Sequence, residues 1–301
     1  MKNNKKLILI IVGALLAICV TIVAVVMLTK KEEAYRIIKV YEYDGDGVVN
    51  RKSIGDIEPY NNMVLESGDN IRLNTGLMTL KLDDDKYVYV EENTEFELQA
   101  TGTSQDSKTT IDLKHGAITN DIQNKLSGES SYEINTPNST MSVRGTTYYV
   151  EVYKDEKGIT YTRVSVFEGK VTTKLRYADG TVEEKEVAVE GGKEVIIYED
   201  DTTTDYLEGV TDIDYSTLPD DVLIIVGQTL DMDKAMSDEE IVRNFKGPFT
   251  VTFTYNGNVF GTQVVNLGEC AQVPSLMPAP SGAWNYDFAT PITEDIEIKW
   301  E

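Results

Sequence analysis

The chain carries 28 basic and 51 acidic side chains in 301 residues, a formal net charge of −23. That balance repels phosphate backbones and anionic headgroups, which excludes a general nucleic-acid binder and any charge-driven adhesion to a membrane surface. At 41% hydrophobic residues the chain is no disordered polyelectrolyte, and its one histidine, His115, excludes multi-histidine metal sites and argues against histidine-based triads.

The first predicted element is a membrane span over residues 7–28. Every position there is uncharged, and all but Gly13, Cys19 and Thr21 are Ala, Val, Ile, Leu or Met. As a helix such a run reaches ~33 Å, enough to cross a hydrocarbon core of ~30 Å. It is longer than the apolar part of a cleaved signal peptide, and no small-x-small site precedes Thr29. A lipoprotein signal at Cys19 is disfavoured by the bulk of Ile18. The expectation is an uncleaved single-pass anchor in a bacterial cell membrane. Residues 1–6, with Lys2, Lys5 and Lys6, form a short cytoplasmic tail, and the acidic body is extracytoplasmic. Cys19 and Cys270 would then lie in different compartments and form no intrachain disulfide.

Residues 35–205 read as short β segments, with Val, Ile, Thr and Tyr alternating with charged residues. Turn signals stand at Asp44-Gly45-Asp46-Gly47, Asp83-Asp84-Asp85, Lys157-Gly158, Glu168-Gly169, Asp179-Gly180 and Gly191-Gly192. Residues 121–126 offer one possible helical turn. The apolar set occupies odd positions at Met141 and Val143 but even positions at Tyr148, Val150 and Val152. The buried parity must therefore switch at Gly145, where glycine suits a bulge or sheet corner. Arg144 would be swung by that kink towards exposed carbonyls or a carboxylate.

These residues carry a resemblance. Ile134 to Val152, with Thr136 and Pro137 followed by Val143-Arg144-Gly145-Thr146 and an alternating strand, resembles the signature stretch of the FecR domain. Gly68-Asp69-Asn70-Ile71, Asn93-Thr94-Glu95-Phe96 and Val164-Ser165-Val166-Phe167-Glu168-Gly169 resemble its other elements in the same order, covering about residues 60–200. The resemblance implies a solenoid-like twisted β domain outside the plasma membrane. The name-giving members control a sigma factor through a cytoplasmic region. Because only six residues precede the span here, the expectation is that no sigma factor is bound. Thr136, Pro137, Val143, Arg144, Gly145 and Thr146 are expected to be structural.

Residues 206–247 read as a connector. Its apolar run Val222-Leu223-Ile224-Ile225-Val226 precedes a capping box at Ser237-Asp238-Glu239-Glu240 and a short helix over about 238–245. Residues 248–301 hold five of the eight prolines. Phe249 to Thr254, Trp284, Asp287 to Ile292 and Ile296 to Trp300 resemble the internalin B-repeat and Listeria–Bacteroides repeat, which implies a small β-grasp-like spacer or interaction module.

No chemistry is legible beyond this. Glu42, Asp44 and Asp46 imitate the start of a calcium loop, but Ser53 stands where the bidentate carboxylate belongs. No nucleophile–base pair, P-loop or Cys/His arrangement occurs, so catalytic, cofactor-binding and metal residues are all expected to be none. Tyr149 and Tyr153 are candidates for stacking on glycan or for cross-strand pairing. The chain therefore reads as an all-β, non-enzymatic, membrane-anchored envelope protein. It would bind another envelope protein, unidentified from the sequence, in assembly or sensing. The alternative is a cell-wall or polysaccharide-binding surface protein.

Overall fold

The computed structural model describes residues 36–301 except 127, 144, 199–207, 231, 233, 234, 276 and 280. The expected tail and span over 1–28, and Arg144, lie outside the described residues. Among the described residues no helix is long and apolar enough to cross a membrane.

The body is built from β1 (Ile38–Arg51), β2 (Gly55–Ile57), β3 (Asp69–Leu82), β4 (Lys86–Val90), β5 (Thr94–Gly102), β6 (Ser107–Ile122) and β7 (Ser131–Asn135). It continues with β8 (Ser139–Val143), β9 (Thr147–Lys154), β10 (Thr160–Glu168), β11 (Lys170–Arg176), β12 (Val182–Glu190), β13 (Lys193–Tyr198) and the two-residue β14 (Thr211–Asp212). All fourteen belong to one hydrogen-bonded sheet, antiparallel except where β6 meets β7. The all-β expectation holds for this body.

The pairings show that the sheet doubles on itself. Strand β3 pairs with β5 through Asp69–Leu73 and with β4 through Met78–Leu82. Strand β6 likewise pairs with β5 and β7 through its first half and with β4 and β9 through its second. Two layers result. One runs β12-β11-β8-β7-β6-β5-β3-β1-β2, and the other runs β14-β13-β10-β9-β6-β4-β3-β1, with long strands shared. Their inner faces enclose one core, in which Ile71, Leu80, Phe96, Ile111, Val150, Val164 and Val189 are fully buried.

Where a shared strand passes between layers, its inward parity changes. In β3 the core residues are Ile71 and Leu73, then Met78, Leu80 and Leu82. Gly76 sits between them with φ +91 and lies opposite Gly45 of β1. A Cβ on either glycine would collide with the other strand's backbone, Asp44 O or Thr75 O, so only glycine permits this crossing. The Asp44-Gly45-Asp46-Gly47 run therefore stands inside β1, where a hairpin turn was expected from its composition. His115 is in β6 beside Gly116, which has φ +84. Residues 121–126 leave β6 as an extended segment and bend, not a helical turn.

Among the described residues two α-helices of nine or more residues follow the sheet. Helix α1 (Asp220–Thr229) packs Val222, Leu223 and Val226 on Ala117 and Tyr149. Helix α2 (Asp238–Lys246) starts with Ser237 and Glu240 in a reciprocal capping box. The C-terminal unit is a separate three-stranded sheet of β15 (Phe249–Tyr255), β16 (Asn258–Val265) and β17 (Ile296–Trp300). Its β15 and β17 are parallel, and its own core holds Phe249, Val251, Phe253, Ile292 and Ile298.

Candidate interaction site

The described residues of the stretch 136–146 link β7, β8 and β9 to their neighbours. Thr136 and Asn138 form the tight β7–β8 turn, where the Ser139 amide donates to Thr136 Oγ1 at 3.0 Å. Asn138 Nδ2 crosses to the other layer and donates to the carbonyls of Thr160 and Ile197, at 3.3 and 3.0 Å. Thr162 Oγ1 donates to Thr136 Oγ1 at 2.9 Å. These groups are buried, so each bond satisfies an atom that would otherwise be stranded. Pro137 is exposed at the tip of the turn.

Val143 is buried opposite Val171. Gly145 follows with φ +66, and a Cβ there would stand 3.2 Å from Lys125 Cα. Thr146 exchanges backbone hydrogen bonds with Ile122, and its Oγ1 donates to the Lys170 carbonyl at 3.1 Å. The corner thus ties β9 to the ends of β6 and β11. It also lines a polar hollow of about 580 Å³, with Asp121, Glu168, Tyr87 and Tyr89. Burial pushes the Asp121 carboxyl up, against the bonds from Gln123 and Thr147, and pushes the Tyr89 phenol up to about 12.

A cavity of about 1100 Å³ lies on the other side of α1. Its apolar floor is Leu77, Ala117, Tyr149, Tyr153, Ile224 and Ile225. Seven carboxylates surround that floor: Glu42, Asp44, Glu91, Glu92, Glu151, Asp221 and Asp238. Among the described residues His115 is the only basic side chain lining it. Glu91 leaves the end of β4 and faces α1, and its Oε1 is buried without a hydrogen-bond partner. Burial, then Asp221 and Glu92, push its carboxyl up to about 7.

Tyr149 does not belong to an exposed aromatic face: α1 covers it, leaving it 1% exposed. The alternation of β9 placed Tyr149 opposite the main core, but the sequence carried no sign that a helix would cover that side. Tyr153 is half-exposed and its ring stacks on Tyr161 at 5.2 Å, with Tyr198 next in the row at 6.1 Å. Sequence reasoning missed the cavity, and with it Glu91. Its only signal was the acidic pair Glu91-Glu92 at the exit of an apolar strand.

Among the described residues several other acids are paired within the sheet. Asp83 accepts from Arg36 and pairs with Lys86, and Asp69 accepts from Arg51 Nη2 at 2.6 Å and from the Glu66 amide. Glu194 accepts from Arg163 and Ser165, and the Asp214 amide donates to it, tying the segment before α1 to β10 and β13. Among the described residues no group of three or more His, Cys, Asp or Glu side chains is placed to hold a metal.

Residues 69–172 match the family described as FecR protein. No curated protein matches the chain. Two crystal structures of a protein described as a candidate anti-sigma factor from Parabacteroides distasonis ATCC 8503 are similar at 13% identity. One covers 65% of this chain and 83% of its own, with a TM-score of 0.38. The other covers 77% and 98%, with a TM-score of 0.37. The expectation that no sigma factor is involved is corrected by the FecR match, a family whose name-giving members work through a sigma factor. The length of the segment before the apolar run is no argument against this. It does not limit a pathway reached through another chain.

Proposed function

We propose that this protein is a FecR-type regulatory or sensing protein of the cell envelope. It would be held by the apolar run 7–28 with its body outside the membrane, and would act by contact with another protein and not by catalysis. The match of residues 69–172 to the FecR family carries this reading. The C-terminal sheet, from its resemblance to surface repeats, would serve as a spacer or second contact module.

The test joins location to output. Protease added to intact protoplasts should remove the body, and in-cell crosslinking of the full chain should trap a protein partner. Deletion of the chain should shift transcripts that share one promoter type. Full protection of residues 32–301, or a deletion strain with unchanged transcripts and no crosslinked protein, defeats the proposal.

The polysaccharide reading has one observation in its favour, the cross-strand row Tyr153, Tyr161 and Tyr198. However, Tyr153 and Tyr161 lie face to face with 8° between their planes. Each ring thereby gives its partner a face on which a sugar would stack.

A further inference from the structure

We propose that the groove beside α1 is the docking site for a segment of a partner protein that carries Lys or Arg next to apolar side chains. The inference rests on the protein-contact reading above and adds the surface and the chemistry of the partner.

Three observations define the occupant. The cavity, about 1100 Å³, is large enough for several side chains. Its floor is apolar, and Leu77 and Tyr153 are 38% and 37% exposed within it, so the free protein leaves hydrophobic area in water there. Acidic residues rim it from three directions: Glu42 and Asp44 on β1, Glu91 and Glu92 after β4, and Asp221 on α1. An anionic ligand would add to this repulsion, and a neutral polar one would leave the carboxylates without a counter-charge. A purely cationic one would leave the floor wet. A cationic segment with apolar neighbours answers both.

Glu91 sharpens the choice. Its buried Oε1 has no partner among the described residues, and among them no Lys or Arg lines the cavity. An inserted ammonium or guanidinium supplies the missing donor in a site shielded from water, where a charge-assisted bond is stronger than at the surface. Helix α1 presents Ile224 and Ile225 beside Asp221, so the same docked segment reaches the acid and the apolar wall together.

The experiment uses the full chain in a non-ionic detergent and a fluorescent peptide alternating Lys with Leu, read by anisotropy at 0.15 M salt. Glu91→Gln combined with Asp221→Asn should weaken binding at least tenfold. A charge-matched control, Asp84→Asn with Asp179→Asn at two distant hairpin tips, should stay within about twofold. A peptide alternating Glu with Leu should not bind, and pentalysine should bind at least tenfold more weakly than the Lys-Leu peptide. Equal loss in both double variants overturns the proposal, because binding then follows net charge, and so does no loss in either, because binding then does not use the groove. Equal binding by pentalysine overturns it too. Thermal melts of both variants confirm that they are folded. If the partner trapped by crosslinking is retained by the groove variant, the groove is not its dock although the protein-contact reading stands. The peptide assay needs no native partner, so the two readings fail separately.

Discussion

Glu91 is the residue whose environment departs most from what its neighbours in sequence suggest. A carboxyl just past the end of an apolar strand is held near pKa 7 by burial and by Asp221 on α1 and Glu92 beside it, with Tyr149 of β9 as the other titratable neighbour. Its folded pKa lies above the unfolded value of 4.5, so the folded state binds more protons over that interval. Stability contributed by the protonated form is complete below about pH 4.5 and is lost as pH rises through 7. The loss above pH 8 is about 3 kcal/mol at most, at 1.36 kcal/mol per pKa unit. Glu91→Gln mimics the protonated form. Its melting temperature should equal that of the wild type near pH 4.5 and exceed it at pH 8. Equal melts at both pH values would show that Glu91 is solvated. At Gly145 the expected sign is opposite. A Val there must adopt φ +66 with its Cβ 3.2 Å from Lys125 Cα. Gly145→Val should cost on the order of 1–3 kcal/mol, and a melt within a degree of wild type would show an unstrained corner.

At the scale of elements, the buried pair Arg163–Glu194 decides how the connector sits on the sheet. The two side chains are 7% and 5% exposed and 2.7 Å apart, and the same Glu194 receives the Asp214 amide. Arg163→Met leaves Glu194 charged and unpaired in the interior, at a cost of about 3–5 kcal/mol. Arg163→Met with Glu194→Leu should recover most of that loss in a denaturant titration; if the double variant is no better than the single, desolvated charge is not the cause. Helix α2 depends on a smaller, local term. Ser237→Ala removes one half of its capping box and should cost about 1 kcal/mol. The capping box and the start of this helix were legible in sequence, because a cap needs only residues three positions apart. Helix α1 was legible only as an apolar run. Its five consecutive apolar residues, Val222 to Val226, hide which side faces the sheet, and only Ala117 and Tyr149 beneath Val222, Leu223 and Val226 settle that.

For the whole molecule, a net charge of −23 spread over the chain means that exposed acids repel one another at neutral pH. Raising salt from about 0.01 M to 0.15 M shortens the screening length from ~30 Å to ~8 Å. The melting temperature should therefore rise with sodium chloride over this range, and a flat response would mean that the ion pairs already balance the field. The same charge limits what approaches the outer face beside α1, since carboxylates from β1, β4, β9 and α1 meet there. The fold brings together in one wall acids that are as much as 196 positions apart, from Glu42 to Asp238.

The sequence by itself determined the strand-rich body, the FecR resemblance, the capped helix after Ser237 and the switch of buried parity around Gly145. Each is written in residues close together, through period-two alternation, caps and a glycine at one position. The Asp44–Gly47 run shows where local reading stops. Its composition favours a turn in any short window, but the crossing of Gly45 over Gly76 makes those glycines the only residues that fit inside two paired strands. Tyr149, Glu91 and the groove were decided by tertiary structure alone. Whether a side chain meets water or an α-helix depends on segments some 70 to 130 positions away, and alternation says only which side of a strand it occupies. It is silent on what covers that side.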